Sequence, residues 1–415
     1  MGEGFVADGV KRAAQVPKPE LRSSMMRRLS IKRTAYKGAE KSVVGIQWRG
    51  KTNLVGHSHS GRMTAYITAC ITASQHPAQH STLFTSHHFF LHPQRYTLST
   101  RHSNMTSDDE RFEDAESDTP QVDQWELERA QKVQEAISNS SDEAKAIDAI
   151  AEIRGWFSPS ADSIFYAAVQ EYLDDKLDLT EAERKISGHI DKASSEKEEG
   201  IDFMDLWYSV LHSAKRISFR NATAHDKLIE LLGVIEKHPN INGLPYLGMA
   251  VREAWNDCPG VGAGFSVPEI HAFANFNYFL ARLTKEQVME FWIYVIWAMR
   301  SALEDVFKDD GPDDAHVPAT AIQKYDANIP AASAWVLIMG KEIYRKEEDL
   351  TPKSKNEGNP AKGGELWAGR PEFSKDRWVL WKKRFQEISQ MQEIAEDTRK
   401  SAKEAFDAME QELVQ

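Results

Sequence analysis

Cysteine is all but missing from this chain: Cys70 and Cys258 are the only two among 415 residues. Thiols so few and so far apart exclude a disulfide framework and a cysteine-built zinc site, and they point to a reducing, cytoplasmic compartment. Long apolar runs are missing too. The most apolar stretch, Val288 to Met299, spans twelve residues and includes Glu290, well short of the roughly 20 apolar residues that cross a bilayer. No membrane span is expected. Acidic residues are scarce in one region only: residues 1–104 hold 15 Lys and Arg against 4 Asp and Glu, a net of +11. The full chain has 51 basic and 63 acidic residues, which leaves 36 and 59 for residues 105–415, a net of −23. A body that acidic repels nucleic-acid phosphates, so no nucleic-acid partner is expected.

The basic segment also lacks a fold signature. Eight of the fourteen histidines lie in it, seven of them scattered with Ser and Thr through "HSHSGRMTAYITACITASQHPAQHSTLFTSHHFFLHPQRY", and its apolar residues keep neither the helical nor the strand period. The pairs His57 with His59 and His87 with His88 have no scaffold to hold a metal. Residues 1–104 are expected to be a disordered extension. Their basic, Ser-rich start resembles a mitochondrial transit peptide, although longer and less amphipathic than one. The abrupt switch to acid in "NMTSDDERFEDAESDTP" favours instead a native start at Met105. The expected organisation is an extension over 1–104, an acidic linker and first helix over 105–139, and an all-helical domain over 140–415. Mitochondrial localisation is the alternative if the extension is real.

From about residue 140 the chain carries dense helical signals. Ser158-Pro159 predicts a cap and first-turn proline ahead of "ADSIFYAAVQEYL", and Thr180 with Glu183 a capping box. Phe203, Leu206, Trp207, Val210, Leu211 and Ala214 fall at helical spacing, as do Leu228, Leu231, Leu232 and Ile235. Ser266 with Glu269 opens a helix through "IHAFANFNYFLARL", and Thr284 with Gln287 is expected to open the next. That helix would carry "FWIYVIWAMRSALED" (291–305), apolar all round at first and therefore at the centre of the body. Ala331 to Tyr344 is another helix, and "TPKSKNEGNPAKGG" (351–364) a surface loop. No strand alternation is evident, so the fold class is all-α, a single multi-helix body. Trp378, Trp381, Phe385, Ile388, Ala395, Ala402, Phe406, Met409 and Leu413 follow a heptad seam broken at Gln392 and Arg399. The breaks favour terminal helices folding back on the body over a zipper with a partner, hence a monomer.

Four stretches in order, "NFNYFLARL" (275–283), "IWAMRSALE" (296–304), "IPAASAWVLIMGKEIY" (329–344) and "GGELWAGRPEFSKDRWVLWKKRF" (363–385), resemble the fungal proteins grouped as domain of unknown function 3632. The resemblance extends from about Trp156 to Met409. Phe273 departs from it, standing where the family is expected to prefer tryptophan. The resemblance implies a helical, cytosolic protein and brings no activity with it.

Several constellations carry chemistry on paper. Arg300 and Glu304, four apart after the apolar run, are expected to pair at the edge of the core; their functional reading is an anion-binding arginine in a pocket with Trp292 and Trp297. His225-Asp226 suggests a metal-dependent phosphohydrolase, with His189 or His212 and Asp257 or Asp305 completing the ligands; capping explains the pair more simply. "DDGPD" (309–313) matches an aspartate-rich magnesium motif, but Gly311-Pro312 breaks the helix it needs. "CPGVGAGF" follows no strand and has no lysine, so it is no phosphate loop. Cys258 with His271 reads as a structural thiol, and the ten tryptophans of the body as core. The expected function is therefore a non-catalytic scaffold or binding protein with no cofactor, its partner an unidentified protein or small molecule.

Overall fold

The computed structural model describes residues 124–195, 201–311 and 318–414. The basic extension, its histidine pairs, the Met105 start and the acidic linker up to residue 123 lie outside them. The helices are α1 (Gln124–Asn139), α2 (Glu143–Arg154), α3 (Ile164–Leu173), α4 (Leu179–Ser195), α5 (Phe203–Arg216) and α6 (Ala222–Ile235). There follow α7 (Leu247–Trp255), α8 (Val267–Lys285) and α9 (Trp292–Met299), the last running into a π-helical turn, Arg300–Glu304. The chain ends through α10 (Ala321–Arg345), α11 (Lys375–Ile388) and α12 (Glu396–Val414), with two-residue strands β1 (Glu348–Asp349) and β2 (Glu372–Phe373) paired antiparallel between α10 and α11. The fold is all-α, and these two strands are the only departure among the described residues.

The axis of the fold is α8, not the stretch 288–299. Its residues Ala272 to Ala281 are buried without interruption, because α5 lies on one side and α10 on another. A helix enclosed this way must satisfy its polar side chains internally, and both of its asparagines do so. Asn277 accepts from the indole N–H of Trp335 on α10 at 2.8 Å and donates to the Phe273 carbonyl. Asn275 accepts from the Phe219 backbone N–H at 2.7 Å and donates to the Lys215 carbonyl. Phe273 itself is buried edge-on against Trp255, ring centroids 5.2 Å apart. At the N-terminus of α8 the expected capping box is present, Glu269 accepting from both the backbone and the hydroxyl of Ser266.

The expected helix from Thr284 is a correction. Thr284 belongs to the last turn of α8, where its hydroxyl donates to the Leu280 carbonyl and accepts from the Phe291 N–H. Gln287 takes a positive φ of 58°, which ends the helix rather than starting one. The quoted apolar run is thus cut to the eight residues of α9. Tyr294, Val295, Ile296, Ala298 and Met299 are buried, whereas Trp292, Ile293 and Trp297 are partly exposed. Two other caps shift slightly. Ser163 caps α3, and Asp178 with Glu181 forms the box that opens α4.

The C-terminal seam behaves as two helices folded together. Trp378, Trp381, Phe385 and Ile388 of α11 are buried, α11 packs on α12, and Ala402 and Met409 of α12 are buried in turn. The loop 351–364 is exposed over most of its length but ends inside the protein, at the fully buried Ala361. A second, smaller cluster of Val133, Ile147, Ile150, Ala151, Trp156, Ala263 and Ala272 seats α1 and α2 apart from the main core.

Candidate functional site

Arg300 and Glu304 do not pair with each other. They span the π turn, in which the Asp305 N–H reaches back five residues to the Arg300 carbonyl at 3.0 Å. The wider turn moves residues four apart off a common face. Glu304 swings inward, fully buried, to Arg377 of α11. Its Oε1 accepts from Arg377 Nε at 2.7 Å and from the Trp381 indole at 2.6 Å. Its Oε2 accepts from Arg377 Nη2 at 3.0 Å and from the Gly364 N–H at 2.9 Å. Arg377 Nη1 spends its protons on the carbonyls of Ala361 and Glu372. All four acceptor positions of the carboxylate and four of the five guanidinium N–H groups are used, so this buried cluster is a lock between α9, the loop 359–373 and α11 rather than a substrate site.

The rest of that predicted pocket is likewise occupied by the protein. Arg300 donates to the Lys362 carbonyl, and the Trp297 indole donates to the Pro360 carbonyl at 2.9 Å. Trp292 lies edge-on to Phe373 beneath the Lys346 ammonium, 4.4 Å from the ring centroid. These residues clamp the loop. Gly364 is the tight point, since a Cβ there would stand 2.8 Å from the backbone of Glu304. Gly364→Ala is expected to cost about 1–3 kcal/mol through overpacking. By contrast Gly188→Ala, on an exposed face of α4 with open space around it, should stabilise by roughly 1 kcal/mol. Thermal melts of the two variants check this.

His225 and Asp226 point to different neighbours. His225 is buried, its Nε2 donating to the Ile217 carbonyl at 3.1 Å and its ring 4.7 Å from that of Tyr278. Burial holds its pKa down at about 4, so the ring is neutral at pH 7. Asp226 pairs with Arg282 at 2.6 Å. The other proposed ligands are dispersed: His189 lies edge-on to Phe165, His212 bonds Asp148, and Asp257 pairs with Lys215 at 2.5 Å. Among the described residues no group of three His, Cys, Asp or Glu could hold a metal. Cys258 is partly buried with its thiol pushed up to about 12 by burial, and His271 bonds Glu143 instead. Asp309 and Asp310 accept from the N–H groups of Ala321 and Ala319, at the start of α10.

A cleft that no sequence motif marked lies between the N-terminal half of α8, Pro330 of α10 and the first turns of α12. It encloses about 370 Å³. Phe219, Phe265, Ile270 and Pro330 give it apolar walls. Its rim is polar. Arg220 is engaged by Glu404 at 2.9 Å and by Ser401, and Asp326 accepts from the Ala395 N–H at 3.0 Å. His271, with its pKa raised by the bond to Glu143, stands beside them. Lys400 is exposed on the rim and makes no ion pair among the described residues. Asp397 sits in the first turn of α12, where the helix dipole compensates its charge.

Residues 207–385 match the family described as "Protein of unknown function (DUF3632)". The match covers less than half of the chain. Neither the curated proteins nor the solved structures contain a match to the chain. The DUF3632 segment runs from Trp207 in α5 to Phe385 in α11, narrower than the resemblance from Trp156 to Met409. It contains both partners of the Glu304–Arg377 lock and the α8 and α10 walls of the cleft. Lys400, on α12, lies beyond the DUF3632 segment, and α1 and α2 precede it. Arg377 stands inside a quoted family stretch, yet its role had no local signal because its partner is 73 residues away. For Phe219, Arg220 and Lys400, no residue spacing marks a shared cleft. No described helix is long and apolar enough to cross a membrane.

Proposed function

We propose that this is a non-catalytic binding protein whose site is the cleft between α8, α10 and α12. Its ligand is a small molecule with an apolar body and an anionic head. One observation carries the reading: an apolar-walled cleft of about 370 Å³ has on its rim a lysine, Lys400, that forms no ion pair among the described residues. A cavity of that kind takes an apolar body by desolvation and orients it through a few polar groups. The non-catalytic reading is supported by the state of the strongest polar cluster, since Glu304 and Arg377 spend their hydrogen bonds on the protein itself.

Octanoate is a suitable probe, measured by equilibrium dialysis against the full chain, with n-octanol as the uncharged comparison. Octanoate is expected to bind more tightly than octanol. Lys400→Glu should weaken octanoate at least about tenfold, the scale of one charge-assisted hydrogen bond, and leave octanol unchanged. Absence of octanoate binding, or equal binding by Lys400→Glu, would overturn the proposal.

A further inference from the structure

The α1–α2 hairpin is held to its neighbours by a small apolar cluster and by a set of polar links that includes three ion pairs. Its buried apolar residues are few: Val133 from α1, and Ala146, Ile147, Ile150 and Ala151 from α2. Its polar links to α3, α5 and α8 match them in number. Asp148 accepts from His212 Nε2 at 2.9 Å, pairs with Arg216 Nε at 2.9 Å and accepts from the Tyr166 hydroxyl at 3.4 Å. Glu143 bonds His271 Nδ1 at 2.8 Å, and Arg154 Nε bonds Glu269 at 2.8 Å. The Asp148 and Glu143 side chains are 38% and 41% exposed, so solvent ions reach their pairs and screen them, whereas the Arg154–Glu269 pair is shielded by burial.

The hairpin is also joined at a point suited to rotation. Gly155, immediately after α2, has φ +69°, and nothing lies within 4 Å of where its Cβ would be. The next residue is fixed: the Trp156 indole donates to the Gly262 carbonyl at 2.9 Å, and the Lys215 ammonium lies 5.0 Å from its ring centroid. Rotation at Gly155 would therefore lift α1 and α2 while Trp156 stays in place. Arg129 makes the two helices move together, since its guanidinium donates to the carbonyls of Ile153 and Arg154. Beneath them is a cavity of about 230 Å³, with Glu126, Arg129 and Val133 on the hairpin side and Gly262, Phe265 and Glu269 opposite.

We infer that the α1–α2 hairpin is a lid over this cavity, latched by ion pairs and hinged at Gly155. Hydrogen exchange on the full chain at 0.05 and 1 M NaCl tests it, because the screening length falls from about 10 Å near 0.1 M salt to about 3 Å at 1 M. Amides of both α1 and α2 should exchange about tenfold faster in high salt, with one shared opening free energy, while those of residues 271–285 hold steady. Glu143→Gln combined with Asp148→Asn should reproduce the fast exchange at low salt and remove most of the salt dependence. The wild-type salt comparison stands alone if that variant does not fold. Salt-insensitive exchange, exchange of the hairpin together with α8, or graded fraying from the ends of α1 and α2 would each overturn the lid.

Discussion

Glu304→Ala is expected to lower stability by about 3–5 kcal/mol, the cost of leaving a buried charge without its partner. The variant would strand the Arg377 guanidinium in a site where neither side chain of the pair has measurable exposure. It would also orphan the Trp381 indole and the Gly364 N–H, both of which donate to the lost carboxylate. Glu304→Gln is instructive because it preserves shape. Its amide must turn N–H toward at least one of four donors, so it too should destabilise, by about 1–3 kcal/mol for the polar groups it leaves unpaired. Arg377→Met with Glu304→Leu removes both charges together and should cost less than the sum of Arg377→Met and Glu304→Leu alone. Urea denaturation of the four corners of that cycle measures the coupling, expected at about 1–3 kcal/mol. A Glu304→Ala cost below about 1 kcal/mol would show that the pair does not lock α9 to α11.

Acidification should destabilise the protein in a window set by its buried histidines. His225 is held at about 4 when folded, against an ordinary value near 6.5. Between those two values the unfolded chain binds a proton that the folded chain refuses, so stability falls as pH drops and the effect saturates below about 4. Above about pH 6.5 this group contributes nothing to the pH dependence. The full loss for His225 is roughly 3 kcal/mol. His212, also lowered by burial, acts in the same direction. His271 opposes them: its pKa is raised by its bond to Glu143, so its contribution is present at low pH and is lost as pH rises through its folded value. His225→Phe is expected to flatten the slope of stability between pH 6.5 and 4, at the cost of the bond to Ile217. Urea midpoints at four pH values in that range test this, and an unchanged slope would exclude His225 as the titrating group.

Legibility varied along the chain for physical reasons. The apolar faces of α5 and α6 were readable: Leu206, Trp207, Val210, Leu211 and Ala214, and Leu228, Leu231, Leu232 and Ile235, are all buried, and Phe203 is partly so. The Ser266–Glu269 box marked the start of α8 correctly because capping is completed within four residues. The Thr284–Gln287 reading failed on the same pattern. Nothing in four residues distinguishes a threonine opening a helix from one closing the helix before it, when the deciding contact is to Phe291. The heptad seam falls on two helices, α11 and α12, which pack on each other across the break after Ile388.

The amino-acid order by itself determined the helical class, the apolar face of each main helix and the lack of any span long enough for a bilayer. Those properties repeat every three or four residues and need no knowledge of where the chain goes next. Only the tertiary structure decided that Glu304 belongs to Arg377 rather than to Arg300, that α8 and not α9 is the enclosed helix, and that Phe219, Ile270, Pro330 and Lys400 face one cleft. Each of those outcomes joins residues from separate helices. The joining depends on the path of the loops and on a π turn that rotates one carboxylate out of register, and neither is written in any single stretch of sequence.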